Sequence, residues 1–429
     1  MSSTYEQAHH PKTEICVSDR TYNKVFWRIL PFLALCYMFA YLDRINVGFA
    51  KLQMQDAINL SDAAYGLGAG IFFIGYVLFE IPSNLYMARV GAKKTLVRIM
   101  ILWGLTSTCM MFVTSPTMFY VLRFMLGVFE AGFAPGIIYY LTLWFPAKRM
   151  AGAMAMLMFA GPIGSIIGAP ASTWLMTHFH QSNGLEGWQW MFMLEGLPCV
   201  ILGVVSWFFI DDKPEDARWL TNAEKAEIAH SLDLSEEKHT SFSSVLRNPA
   251  IYGLIITYFG LICGIYAMSF WLPTILQYHG IKDTMTIGLL TAIPYIAALV
   301  AMIVFAKTSD KFQERRWHVS LTALVAGFAL LFSNFTSNFA LAMTLLTLAT
   351  GLMWASYTLF WAIPSKIMQG TAAAGGIALI NSFGLIGGFV SPTIMGWIKQ
   401  STGSLVSGLI FMTALLFIGA IAILFQKKI

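Results

Sequence analysis

The sequence predicts an all-α membrane protein of twelve transmembrane helices in two six-helix, pseudo-symmetric halves. Of its 429 residues, 57% are hydrophobic and only 11% are charged, whereas an ordinary globular chain is about 25% charged. Apolar runs recur at close to the roughly 20 residues that a helix needs to cross a bilayer. One long polar interval, residues 211–248, separates six of these runs from the other six.

Each apolar run is long enough and poor enough in charge to be a membrane-spanning helix. Because lipid offers no hydrogen-bond partners, the backbone of each run must satisfy itself as a helix. The predicted spans lie near residues 26–49, 65–87, 96–113, 118–144, 153–176, 190–210, 251–275, 287–305, 321–335, 339–362, 372–398 and 406–425.

The polar interval is predicted to be a linker with a short surface helix, because Trp219, Leu220, Ala223 and Ile228 follow helical spacing. The chain then divides into an N-terminal tail, a six-helix bundle, the linker, a second six-helix bundle and a short C-terminal tail. The predicted bounds are residues 1–24, 25–210, 211–248, 249–426 and 427–429.

Basic residues fix the expected orientation. They are frequent before the first span, in alternate loops and in the linker, whereas the loops of the opposite side hold only Lys51, Lys282 and Lys399. Cytoplasmic loops of membrane proteins are enriched in lysine and arginine. We therefore expect both termini on the cytoplasmic side.

Two charges lie inside the apolar stretch VLRFMLGVFEAGFAPG, which begins at Val121 and ends at Gly136. Arg123 and Glu130 are seven residues apart, about two helical turns or roughly 10 Å, so they share a helix face but not a tight ion pair. An ionisable residue within a span costs at least ~2.5 to 3.5 kcal/mol and is a functional candidate. Asp43 and Arg44 form a second such pair in the first span. We expect all four to face one polar cavity.

The two halves resemble each other in short segments. FPAKRMAG at residues 145–152 matches IPSKIMQG at residues 363–370, and the ARVGAKK loop at residues 88–94 corresponds to SDKFQERR at residues 309–316. The matched segments are about half the chain length apart. Such repeats are typical of a transporter built by duplication.

Several of these segments carry a family resemblance. The loop with Arg89, Gly91, Lys93 and Lys94 resembles a degenerate loop signature of the major facilitator superfamily, with Ala88 where an acid is usual. YLDRINVGFA, FEIPSNL, the RxxxGxxEAGFxPG stretch and GWQWMFMLEGLP are similar to the anion:cation symporter family, nearest to its tartrate, rhamnonate and 4-hydroxyphenylacetate permease branch. The resemblance runs from about residue 25 to residue 425 and implies the superfamily's fold.

The resemblance also implies roles for individual residues. In relatives, an arginine of the first span binds the substrate carboxylate and an acid of the fourth span takes the coupling proton. These roles fall on Arg44 and Glu130, with Asp43 as a second proton-coupling acid and Arg123 as charge partner of an acid. Further substrate-binding residues implied by family position are Tyr41, Tyr76, Trp361 and Asn381.

Alternative interpretations stay open for some of these charges. Asp43 and Arg123 could form a permanent structural pair between the first and fourth spans, and Arg44 could lie near the outer interface and extend its charge into water. Glu80 and Glu195 are assigned to charge networks near the loops rather than to the cavity. A structure must decide among these positions.

Other function classes lack support in the sequence. There is no Walker motif, no arrangement of nucleophile, base and orienting group, and no metal-ligand spacing among the five scattered cysteines. We expect no enzyme activity, no catalytic or metal-binding residues, no cofactor and no nucleic-acid partner. The expected partners are a small organic anion, protons and the lipid bilayer, and the chain is expected to be a monomer.

The sequence and the resemblance together predict a proton-coupled secondary active importer of a small organic acid anion that works by alternating access. A sugar acid, a tartrate-like acid or an aromatic monocarboxylate fits this description, and the proton gradient is the expected energy source. The expected location is the bacterial inner membrane. The alternatives are an efflux antiporter of the same superfamily for drugs or metabolites, and a transport-defective sensor that signals through the linker.

Overall fold

The computed structural model describes residues 18–233, 248–364 and 371–426. In those ranges twelve helices or helix pairs are long and apolar enough to cross a membrane, which confirms the predicted spans. Four predicted segments lie wholly or partly outside the described residues. They are most of the N-terminal tail, residues 234–247 of the linker, part of the IPSKIMQG segment and the C-terminal tail.

The N-terminal half forms six spans, of which the first and the fourth are each built from two helices. The helices are α1 (Asp19–Ile45), α2 (Val47–Ala57), α3 (Asp62–Val90), α4 (Ala92–Cys109), α5 (Pro116–Glu130), α6 (Phe133–Thr142), α7 (Ala147–His178) and α8 (Gly187–Phe209).

A short helix and six further spans follow. The helices are α9 (Asn222–Asp233), α10 (Pro249–Tyr278), α11 (Thr284–Phe312), α12 (Arg316–Ser333), α13 (Phe339–Phe360), α14 (Thr371–Thr402) and α15 (Leu405–Ala422). We call the membrane side on which α1 begins the terminal face, and the opposite side, where α3 and α11 begin, the distal face.

The breaks in the first and fourth spans bring charged residues to helix ends. The fourth span breaks after Glu130, where Gly132 has φ +86° and begins α6. This left-handed backbone favours glycine, and a Cβ at Gly132 would lie 2.5 Å from Ser83 Oγ. In the first span α1 ends at Ile45 and α2 begins at Val47, so Arg44 lies in the last turn of α1, although Asn46 between the two helices keeps helical dihedral angles. Glu130 therefore stands at a break in its span, and Arg44 stands near the junction of α1 and α2.

In the described residues the two halves pack mainly through three helix pairs: α3 against α14, α7 against α11, and α2 against α10. Small residues allow close approach where α3 crosses α14, since a Cβ on Gly66 would lie only 2.3 Å from the carbonyl oxygen of Pro392. Close packing of this kind is how helices associate in lipid, where apolar burial gives no driving force.

The linker helix α9 and the segment before it rest on the N-terminal half. The ring of Trp219 stacks on that of Trp144 with centroids 5.7 Å apart. Lys24 Nζ lies 2.8 Å from Glu224 Oε2, and the hydrogen bond from this ammonium lowers the pKa of Glu224. The described part of the linker is thus attached to the first half.

Candidate functional site

The central feature of the site is a direct ion pair between Arg44 and Glu130. Arg44 Nη2 donates to Glu130 Oε1; the arginine side chain is 11% exposed and the glutamate side chain is fully buried. The sequence predicts only that both charges face one polar cavity, and the structure pairs them directly. Arg44 is also too deeply buried to be an interfacial arginine.

The guanidinium of Arg44 is surrounded by aromatic rings from both halves. Its Nη1 donates to the hydroxyl of Tyr266 at 2.9 Å, and Tyr266 belongs to α10 of the second half. Its Cζ lies 5.3 Å from the ring centre of Phe72 and 5.4 Å from that of Tyr76. Aromatic faces stabilise a desolvated cation at such distances. Tyr76, which the resemblance names as substrate-binding, thus lies beside Arg44.

The ion pair leaves two polar atoms unused. Arg44 Nε and Glu130 Oε2 are buried and have no hydrogen-bond partner among the described residues. Nε and Nη2 form one edge of the planar guanidinium, which can hold a carboxylate through two parallel hydrogen bonds. Oε2 is a free position for a proton. The geometry can thus accept an anion on one partner and a proton on the other.

Arg123 does not pair with an acid in the described residues, in contrast to its expected role. Its Nε and Nη2 donate to the backbone carbonyls of Gly68 and Ala69, each at 3.3 Å, and its Cζ lies 5.2 Å from the ring centre of Phe72. Carbonyl oxygens of α3 satisfy this cation in place of a carboxylate.

Asp43 faces away from Arg44, so the four charges do not line one cavity. Trp103 Nε1 donates to Asp43 Oδ2 at 2.8 Å, and Cys199 Sγ lies 3.1 Å from the same oxygen. Adjacent residues on a helix point about 100° apart, which turns Asp43 toward α4 and α8. A permanent Asp43–Arg123 pair is also not formed.

Tyr41 lies on the second-half side of the first span, away from the ion pair. Its hydroxyl is 3.2 Å from Ser269 Oγ, which is in turn 3.2 Å from the hydroxyl of Tyr295. Its ring meets that of Trp354 with centroids 5.7 Å apart. Tyr41 therefore connects the two halves at the level of the site without contacting Arg44.

Asn381 and Trp361 belong to a second layer, one helical turn beyond Tyr76 toward the terminal face. Asn381 Nδ2 donates to Glu80 Oε1 at 2.8 Å, and its Oδ1 accepts from Tyr258 at 3.3 Å. The ring of Trp361 lies 4.9 Å from that of Tyr258. Glu80 is thus a buried residue of the contact between the halves, and its assignment to a loop network was wrong.

Sequence reasoning missed Tyr266, whose hydroxyl accepts from Arg44 Nη1. Tyrosines are common in aromatic-rich spans, and only the approach of α10 to α1 identifies this one. No spacing within one span gives that signal.

A cluster of two lysines and one acid seals the distal face, and we call it the distal seal. Lys51 Nζ and Lys399 Nζ each lie 2.9 Å from Asp62 Oδ1. Lys51 also donates to Thr274 Oγ1 at 3.2 Å and lies 4.0 Å from the ring centre of Trp271. The cluster joins α2 and α3 of the first half to α10 and α14 of the second, so this conformation is closed on the distal side.

Removing the acid of the distal seal should open it. In Asp62→Asn the two ammonium groups face each other without a carboxylate, and we expect the equilibrium to shift toward the distally open state by about 1 kcal/mol or more, about 5-fold. In purified Thr274→Cys protein, labelling of position 274 by a polar thiol reagent should accelerate accordingly, after subtraction of labelling in protein without this cysteine.

The matched control is Asp56→Asn, because Asp56 is an exposed acid on the same segment. It should leave the labelling rate unchanged. Equal labelling of Asp62→Asn and its parent would show that the cluster does not hold the distal face closed.

Comparison with known proteins identifies the class to which this site belongs. The family profile of the Major Facilitator Superfamily matches residues 33–392. A candidate metabolite transport protein, NicT, of Pseudomonas putida is 46% identical over 389 residues, which cover 89% of each chain. A candidate tartrate transporter of Agrobacterium vitis is 44% identical, covering 95% of this chain and 92% of its own.

A quinolone resistance transporter of Acinetobacter baumannii is also similar, at 35% identity over 92% of each chain. Among solved structures, a D-xylose-proton symporter superposes with a TM-score of 0.74 at 16% identity, covering 94% of this chain and 98% of its own. That likeness concerns the fold alone. The sequence relatives are consistent with the anion:cation symporter branch, and the chain belongs to the major facilitator superfamily of membrane transporters and is not an enzyme.

Proposed function

We propose that this transporter imports a small organic anion together with protons by alternating access. The observation that carries the proposal is the buried Arg44–Glu130 pair with its unused Nε and Oε2 atoms. An ion pair in a water-poor site is stable only while both partners are charged and paired. Whatever neutralises one partner must therefore release the other for a new ligand.

The expected sequence of events follows from charge. A proton that binds Glu130 removes the carboxylate that occupies Arg44 Nη2. The freed Nε–Nη2 edge then holds the substrate carboxylate, and the site returns to a neutral state. The empty pair and the doubly loaded site are both neutral, whereas a site with only one ligand is charged. Reorientation of a charged site through a low-dielectric barrier is costly, which couples the anion to the proton.

The surroundings of Arg44 favour a monocarboxylate with a flat apolar body. Phe72, Tyr76 and Tyr266 surround the guanidinium, and the ring of Phe73 lies 4.6 Å from that of Tyr266. A second carboxylate would need a second free cation, but Arg123 is already engaged with backbone carbonyls. An aromatic monocarboxylate therefore fits the described site better than a diacid such as tartrate.

The proposed orientation in the membrane follows from the distribution of basic residues. The terminal face carries the basic loops and so is assigned to the cytoplasm of a bacterial inner membrane. The distal seal is then periplasmic, and the described conformation is closed toward the periplasm. Import ends with release toward the cytoplasm from this conformation.

A reconstituted uptake assay tests the proposal. Purified protein is first screened by thermal shift against 4-hydroxyphenylacetate, benzoate, galactonate and tartrate, and we expect an aromatic acid to give the largest stabilisation. Uptake of that acid into proteoliposomes with an alkaline interior should then exceed its equilibrium level and collapse when a protonophore is added. Protein-free liposomes measure passive entry of the protonated acid. Protein-dependent uptake that the protonophore does not reduce would refute proton coupling.

An efflux antiporter remains the alternative, and similarity to a quinolone resistance transporter favours it. Such a transporter would exchange its substrate for protons, so proteoliposomes with an alkaline interior would expel preloaded substrate, whereas proteoliposomes with an acidic interior would accumulate it. A cationic or amphipathic drug would also stabilise the purified protein more than any organic acid. The buried arginine at the centre of the site, held by a single carboxylate, favours the anion.

A further inference from the structure

Two further acids lie behind the Arg44–Glu130 pair, with an asparagine between them. Asp43 is fully buried, Glu195 is 4% exposed, and Asn46 between them is fully buried. Asn46 Nδ2 lies 3.0 Å from Glu195 Oε2 and 3.5 Å from Asp43 Oδ1. The sequence predicts that Glu195 belongs to a charge network near the loops. In the structure it lies inside the first half, where α8 meets α2 and α7.

The hydrogen-bond partners of both acids are neutral. Asp43 Oδ2 accepts from Trp103 and Cys199, and Glu195 Oε1 accepts from Ser172 Oγ at 2.6 Å. No cation of the described residues forms an ion pair with either acid.

The charged groups that act on Asp43 from the neighbouring helices lie farther away. They are Glu130 and Arg123 on α5, and Asp43 and Glu195 act on each other. Arg44, the next residue on α1, is engaged with Glu130 and Tyr266. Two ionised carboxylates on one amide, without a paired cation, would be a costly buried arrangement.

The hydroxyl of Ser172 indicates where a proton belongs. Asn46 Nδ2 reaches an oxygen of each acid, so the amide supplies a donor to both carboxyl groups. The other oxygen of Glu195, Oε1, lies 2.6 Å from Ser172 Oγ. A serine hydroxyl accepts as well as donates, so a protonated Glu195 can donate from Oε1 to Ser172. Asp43 Oδ2 instead faces the indole N–H of Trp103, which is a donor only.

We propose that Asp43 and Glu195 hold one proton between them, with the proton on Glu195. Asp43 is the better anion because three donors surround its carboxylate, Trp103, Cys199 and Asn46. Glu195 instead faces the hydroxyl of Ser172, which can accept a hydrogen bond from a protonated carboxyl. Asp43, Asn46 and Glu195 thus form a proton-binding site separate from Glu130. Asp43 precedes Arg44 on α1, so a shift of α1 on anion binding would move Asp43 relative to Glu195. A role of this site in coupling anion to proton transport rests on the proposed function, whereas the presence of the proton can be measured without transport.

Infrared spectroscopy of the purified wild-type protein near neutral pH tests the proposal. A protonated carboxylic acid has a C=O stretching band that is separate from the carboxylate bands and shifts in D₂O. We expect this band to lose intensity in Glu195→Gln. It should be unchanged in Glu215→Gln, which alters an exposed glutamate of the linker. An unchanged protonated-acid band in a folded Glu195→Gln protein would overturn the assignment to Glu195.

Isotope labelling gives a second test if Glu195→Gln does not fold, and it is done in Glu80→Gln protein because Glu80 is another buried glutamate, held by the neutral Asn381. Carboxyl-¹³C glutamate should lower the frequency of the protonated-acid band, whereas carboxyl-¹³C aspartate should leave it in place. If neither label moves any such band, both acids are ionised and the shared proton does not exist. Because no substrate or gradient is used, failure here leaves the proposed transport function untouched, and loss of proton-driven uptake leaves this result untouched.

Discussion

Replacing Arg44 with lysine is expected to weaken binding of the transported acid by about 2 to 5 kcal/mol, about 30-fold to several thousand-fold in Kd. Lysine keeps the positive charge but is a compact ammonium without the planar fork. It cannot present the Nε–Nη2 edge to the substrate while also reaching Tyr266, which Arg44 Nη1 contacts at 2.9 Å. Isothermal titration of the purified variant with the acid found in the screen measures the loss.

The matched control for this substitution is Arg98→Lys. Arg98 donates to Ser83 Oγ at 3.1 Å and stacks on Tyr86, outside the Arg44–Glu130 site. The Arg98→Lys variant should bind the acid with wild-type affinity. If Arg44→Lys also binds with nearly wild-type affinity, a single ammonium suffices and the bidentate role of Arg44 is wrong.

Replacing Glu130 with glutamine is expected to separate binding from energy coupling. Glutamine has the shape of protonated glutamic acid, so it leaves the guanidinium of Arg44 free for the substrate. Binding and exchange between preloaded proteoliposomes should persist, whereas accumulation driven by a proton gradient should fall to the equilibrium level. In this variant position 130 has no titratable group to carry the coupling proton. Counterflow and gradient-driven uptake are measured in the same proteoliposome preparation.

Glu215→Gln is the control for this second variant, because it removes an exposed carboxyl far from the site. It should keep both activities. Loss of counterflow in Glu130→Gln as complete as in Arg44→Lys would mean that the acid is needed for binding or folding, and its assignment as the coupling proton site would then fail.

The positions of the important charges could be predicted from the sequence, but their pairing could not. Arg44 and Glu130 stand out because a charge inside an apolar run is costly and easily seen. Their partnership depends on how the first and fourth spans pack and on the break after Glu130, which span prediction does not detect. Helix geometry alone could have shown that Asp43 and Arg44 point in different directions, which the expected shared cavity overlooked.

The fold was more predictable than the site because hydropathy reports directly on the membrane. All twelve spans appear in the described residues, since each backbone must be satisfied within its own helix. Glu80 and Glu195 were misplaced because position along a span does not reveal which helix lies opposite. Tyr266 was missed because its importance comes from Arg44, a residue of the other half.

The most direct test of the central claim is the affinity for the transported acid as a function of pH, in wild type and in Glu130→Gln. Protonation of Glu130 removes the carboxylate that competes for Arg44, so wild-type binding should tighten as pH falls and weaken as pH rises, by up to about tenfold per pH unit for one linked proton. Glu130→Gln should bind tightly at every pH. A wild-type affinity that does not depend on pH, or an equal slope in Glu130→Gln, would contradict competition between proton-sensitive Glu130 and the substrate for Arg44.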